Sequence, residues 1–170
     1  KLKASGHKCP FTTSWISWTQ LESFSAWHDT LFATQNNGFG GMSARLAFNS
    51  PLHQRHIENL ANMSKQGLFI YKGRDNAADA TFPSGECAMM TGSSGLQGAV
   101  KRNAKFAAGL STLPYYPDVP GAPQNTVIGG AAGGGHRRRR PGGTSRSGAR
   151  GSGAHWHRRV GARYVLASRR

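Results

Sequence analysis

Hydrophobic positions recur at two periods along the first 130 residues, and glycine, proline and asparagine punctuate the intervals between them. The opening "KLKASG" reads as the end of a helix, with lysines in its last turn and Gly6 as the stop. From Trp15 to Trp27 the string "WISWTQLESFSAW" sets Trp15, Trp18, Leu21 and Phe24 at helical spacing, which predicts a helix with one apolar face. A turn follows at "NNGFGG". Ser50 and Pro51 then supply an N-cap and a first-turn proline, and Leu52, Ile57, Leu60 and Met63 form an inward stripe before Gly67 ends the helix. The strand candidates are "LFIY" (68–71), "CAMM" (87–90), "LSTLPYY" (110–116) and "NTVIG" (125–129), each bounded by Gly, Pro or Asn. The polar stretch between the first two carries a short helix around 76–82. No internal repeat is present. Helix alternating with strand predicts an α/β domain.

Length and composition narrow this picture. A chain of 170 residues holds one domain with its own core, or part of a larger one. No stretch is long and apolar enough to span a membrane. The chain opens without a methionine or a basic-then-apolar leader, and reads as the middle of a longer protein. The net charge is +15, but residues 133–170 contribute 11 arginines and no acid, leaving only +4 for residues 1–132. The two parts differ in kind, since the first has mixed charges, Trp and periodic apolar residues and the second is mainly Arg, Gly, Ala and Ser. Cys9 and Cys87 fit neither a dense disulfide framework nor a zinc site. Their spacing leaves pairing open, and two small buried strand residues are the favoured reading.

Candidate chemistry is sparse. There is no G-x-S-x-G elbow and no carboxylate pair near a histidine in sequence. Only His155 and His157, inside the basic tail, have metal-ligand spacing. An enzyme therefore finds little support. "CAMMTGSSGLQGAV" instead describes a strand turning through Thr91–Gly95 into a helix, where free N–H groups and hydroxyls suit a phosphate or carboxylate. On the residues alone, Ser93 or Ser94 as a plain helix cap is the favoured alternative. Trp15 and Trp18 serve equally as the wall of a polyol site or as core. The Gly-Gly at the end of "NTVIGG" lets a ligand approach the backbone, although such pairs more often form turns.

These residues carry a resemblance. "FPSGECAMM" (82–90) is similar to the F-x-x-G-x-x-A-M signature of extracellular solute-binding proteins that serve ABC importers. "KLKASGHKC", W-x-x-W-x-Q-L-E-x-F-S-A-W, "NNGF", Y-x-G-R, G-E-C-A-M-x-T-x-S-S-G and "APQNTVIGGA" resemble, in order and in register, the glycerol-3-phosphate binders of that maltose-binding-like class. The resemblance runs from Lys1 to about Ala131. It implies a two-lobed periplasmic α/β fold (type II) that closes on sn-glycerol-3-phosphate or a glycerophosphodiester and presents it to the membrane permease of an ABC importer. It implies a ligand contact at Ser93, another at Gly130, and a wall formed by Trp15 and Trp18. It further implies a monomer with no cofactor, no metal and no catalytic residue. The family's first lobe falls before Lys1, and its distal tyrosine and arginine fall beyond the resemblance. Very weak or absent binding by this chain alone is therefore expected.

The domain reading is thus 1–131 as part of a solute-binding domain and 132–170 as a disordered Arg/Gly-rich tail. Such a tail binds phosphate backbones through charge alone, which makes a basic nucleic-acid-associated protein the alternative function. A shifted reading frame is favoured over a selected arm, because the resemblance stops where GC-type residues begin. "AHWH" (154–157) also resembles a downstream segment of the family.

Overall fold

The computed structural model describes residues 1–124 and the strand Tyr164–Arg169. Four strands form one sheet in the order β1-β2-β4-β3: β1 Cys9–Thr13, β2 Cys87–Gly92, β3 Ala107–Thr112 and β4 Tyr164–Arg169. β1 runs parallel to β2, while β4 is antiparallel to both β2 and β3. A π-helical turn, Trp18–Glu22, leads into helix α1, Ser23–Trp27; α2 is Pro51–Lys65 and α3 is Gln97–Asn103. The architecture is mixed helix and strand, as the alternating pattern predicts. No helix among the described residues is long and apolar enough to cross a membrane.

Alternation along β1 and β2 gives the sheet two different faces. Phe11 and Met89 look toward α1 and α2. On the opposite face Met90 packs with Ala78, Phe82 and Val100 in a core to which Leu96, Ala104 and Phe106 are added. Phe82 is fully buried and meets Phe106 edge-on, with ring centroids 5.4 Å apart.

Several local expectations hold at atomic detail. Gly6 has φ 89, His7 N–H donates to Leu2 O and Gly6 N–H donates to Lys3 O, so the glycine stop expected there closes a hydrogen-bonded turn over residues 2–6 and not a helix. Ser50 Oγ accepts from His53 N–H at the start of α2, and Gly67 follows its end at φ 67. The inward stripe of α2 is corrected, however. His53 and Leu60 are buried, His56 and Met63 line the inner side, and Ile57 is 45% exposed.

Other expectations are overturned. Cys9 and Cys87 form a disulfide, because they are register partners on parallel strands with Cα atoms 4.5 Å apart. "LFIY" is no strand; only Phe69 bridges to Phe11 before the chain diverges. The helix expected around 76–82 is a series of turns closed by i→i−3 hydrogen bonds such as Asp79 N–H to Asn76 O. β3 starts and ends earlier than "LSTLPYY", since Pro114 has no N–H to give a ladder. The segment 125–129 lies outside the described residues. So does the tail except for β4, where six residues expected to be disordered instead pair with two strands. Tyr164, Val165 and Leu166 give that stretch a β-favouring start within otherwise Arg/Gly-rich sequence.

Candidate functional site

Because β1 and β2 are parallel with Thr13 opposite Thr91, the chain leaves both strands on one edge of the sheet. Ser14 N–H continues the ladder to Thr91 O at 3.1 Å. Trp15 then turns at φ 50; its N–H donates to Asp75 O at 2.7 Å and its C=O accepts from Thr19 N–H at 2.8 Å. On the neighbouring strand, Gly92 has no room for a side chain, since a Cβ there would lie 2.7 Å from Ser14 Oγ. Ser93 follows in extended conformation, and its Oγ accepts from Gly95 N–H at 3.2 Å at the head of a short 3-10 turn. The carboxyl edge of parallel strands is where open α/β sheets receive ligands.

Trp15 and Ser93, two of the four residues singled out from the sequence, therefore each lie two residues beyond the paired Thr13 and Thr91 at this edge, with Trp15 turned toward Asp75. Trp15 is 40% exposed. It does not share a helical face with Trp18: the hydrogen bond to Asp75 holds Trp15 in a left-handed conformation ahead of the helical segment, and Trp18 begins the π-turn. Gly130 lies outside the described residues. Ser93 performs the capping role that the residues alone suggest.

Beneath the edge lies a buried polar cluster that the sequence reading missed. In the π-turn, successive residues Thr19 and Gln20 are both buried. Thr19 Oγ1 donates to Ser14 O. Gln20 Nε2 donates to Thr13 Oγ1 at 3.1 Å and to Thr91 Oγ1 at 3.0 Å, and Thr91 Oγ1 donates to Thr13 Oγ1 at 2.8 Å. The remaining amide atom, Gln20 Oε1, accepts from His56 Nε2–H at 3.0 Å. These partners fix both the amide orientation and the His56 tautomer.

Three histidines gather around Phe24. His56 stacks on its ring at 3.9 Å, His28 lies at 4.1 Å and His53 meets it edge-on at 5.8 Å. His28 Nδ1–H donates to Phe24 O and Nε2 accepts from Tyr116 N–H, which suits a neutral ring. Burial lowers all three below the ordinary histidine value. His56, with His28 and His53 beside it, is lowered furthest, to about 4. On the outer side, Arg55 forms a two-pronged pair with Asp118 and lies 4.2 Å over the Tyr116 ring.

A cavity of about 390 Å³ opens between the sheet and these helices, lined by Phe11, Phe24, Leu60, Met63, Met89 and Leu113 among others. Its titratable lining groups among the described residues are His28, His56, Tyr115 and Tyr116, so no charged partner for an anion lines it among those residues. The cavity is mainly apolar, and Thr19, Gln20, Thr91 and His56 of the polar cluster form part of its wall. Among the described residues no group of three or more His, Cys, Asp or Glu is placed to hold a metal.

The chain is similar over 129 residues to sn-glycerol-3-phosphate-binding periplasmic proteins UgpB. Identity is 47% with that of Salmonella typhimurium strain LT2, 46% with that of Yersinia enterocolitica and 45% with that of Yersinia pestis. Over those residues the chain is UgpB-like. The match covers 76% of this chain but 30% of the Salmonella UgpB and 29% of the Yersinia proteins. The chain thus spans under a third of the length of the UgpB proteins it matches. No family model matches the chain.

Proposed function

We propose that this chain carries part of the ligand site of a periplasmic binding protein for sn-glycerol-3-phosphate or a glycerophosphodiester, one that serves an ABC importer. The observation that supports this reading most is that Trp15 and Ser93 both follow the carboxyl ends of the paired strands β1 and β2 in a UgpB-like chain. In this reading the Ser93 hydroxyl and the N–H groups after it take phosphate oxygens or a glycerol hydroxyl. Trp15 offers its ring to the C–H face of the glycerol, and Trp18 and Gly130 are proposed as further contacts on the resemblance alone. Residues 1–131 form part of one lobe of a two-lobed type II protein, which closes on the ligand like a hinge and hands it to the permease unchanged. No catalytic group is assigned. The Cys9–Cys87 disulfide is in keeping with an oxidising compartment such as the periplasm.

Contacts from outside the matched third are missing in this reading, so affinity for the chain by itself falls in the millimolar range, not the micromolar. Saturation-transfer NMR tests the assignment. Glycerol C–H protons of sn-glycerol-3-phosphate should receive signal from the chain, and the combined Trp15→Ala and Ser93→Ala variant should abolish it. Equal transfer in that variant overturns the site. A micromolar affinity by calorimetry overturns the view that other contacts complete it.

A further inference from the structure

The strand edge is tied together by one side chain whose use of hydrogen bonds is complete. Gln20 is 7% exposed, and burying its amide is costly unless each atom finds a partner. Both N–H bonds go to threonines on different strands, and the oxygen is taken by His56. The residues after those threonines are Ser14 and Gly92, with Trp15 and Ser93 one step further. The π-turn makes this possible by turning Thr19 and Gln20 together toward the strand ends. Inserted residues of this kind recur where a helix must aim side chains at a site.

We propose that Gln20 is a positioning residue for the ligand site, fixing Trp15 relative to Ser93 by clamping Thr13 to Thr91, and that neutral His56 holds the clamp closed. The proposal rests on the ligand reading given above. His56 already donates through Nε2–H, so a proton can be added only at Nδ1, which is buried and has no hydrogen-bond partner among the described residues. An imidazolium there would have an unsatisfied N–H. It would face His28 beyond α1, His53 on its own helix, and Tyr115 and Tyr116 from the loop after β3. The nearest ion pair, Arg55–Asp118, is already closed on itself. Among the described side chains of the sheet, those that reach this region are Phe11, Met89 and the two threonines, none of which balances a charge. Protonation therefore drives the ring out toward water, and Gln20 Oε1 loses its donor.

The test reads backbone amide shifts of Trp15, Gly92 and Ser93 by NMR in the whole chain, without ligand, between about pH 7 and pH 3, a span that contains the His56 value of about 4. In the unaltered chain these amides should move together with the His56 ring. In Gln20→Leu, the His56 ring should still titrate while the three amides no longer follow it. In His56→Gln, which keeps an amide N–H for Gln20 but cannot titrate, the amides should lose the step that tracks His56 and keep only any step due to Asp79 at the Ser14 hydroxyl; this variant carries the test if Gln20→Leu does not fold. Amides that still follow His56 in Gln20→Leu, or that keep the same midpoint in His56→Gln, overturn the clamp. A separate addition of sn-glycerol-3-phosphate at neutral pH distinguishes the two claims. Amides that obey the clamp but ignore the ligand support the positioning of the edge and refute the ligand reading. If both hold, Gln20→Leu should weaken ligand-induced shifts several-fold.

Discussion

Acid should destabilise this fold well above the carboxylate range, and His56 sets the size of the effect. Its value falls from 6.5 to about 4 in the folded chain. Each unit of difference is worth about 1.4 kcal/mol, so His56 contributes about 3 kcal/mol of pH-dependent stability. Because the folded value is the lower one, the unfolded chain takes up the proton first. Stability is therefore intact above about 6.5, falls as pH drops toward about 4, and flattens below that. His28 and His53 act in the same direction, being lowered by burial as well. Asp79 acts oppositely: burial raises it, against the Ser14 hydroxyl, so protonating it in acid relieves a penalty. Asp118, lowered by Arg55, is exposed and matters only below the ordinary carboxylate range. Urea unfolding followed by tryptophan fluorescence at a series of pH values measures this directly, with the urea slope checked for constancy. His56→Gln should flatten the profile by about the His56 share, about 3 kcal/mol. Equal stability at neutral pH and near pH 4.5, or a gain on acidification, would refute the reasoning.

Other expected outcomes follow from packing and connectivity. Reducing the Cys9–Cys87 bridge, whose partners are 78 residues apart, should cost about 4 kcal/mol by loop entropy; an unfolding midpoint unchanged by reductant contradicts this. Gly92→Ala should cost about 1–3 kcal/mol, because its Cβ would meet Ser14 Oγ. Adding Ser14→Ala should recover part of that loss, and strict additivity would count against the contact. Phe82→Ala should cost about 3–5 kcal/mol in the same denaturation assay, since the ring is fully buried in the core behind β2.

Local signals were readable in the sequence wherever one residue type has one structural use. Ser50, Pro51 and Gly67 bracket α2 correctly because capping and left-handed termination are local events. β1 was hidden by Pro10, which weakens a strand pattern; β1 is in fact the edge strand, where a missing N–H is tolerated. The disulfide was not legible because it depends on register between strands 78 residues apart. Helical spacing suggested a shared face for Trp15 and Trp18, but a tertiary hydrogen bond to Asp75 overrides it. The histidine face of α2 was missed since histidine reads as polar, and tertiary partners such as Phe24, Gln20 and Ser25 make it an inward surface. Ser93 was legible as a cap from its neighbours, whereas the expectation of a ligand contact there came only from resemblance.

The central claim is that the edge formed by Trp15 and Ser93 receives the glycerol phosphate. Amide mapping during titration with sn-glycerol-3-phosphate, beside glycerol and inorganic phosphate as controls, tests it most directly. The account predicts saturable shifts at Trp15, Gly92 and Ser93 with a millimolar midpoint, larger than either control produces. Shifts centred on the apolar cavity at Met89 and Tyr116, or shifts at the strand edge no greater than those with phosphate alone, would contradict it.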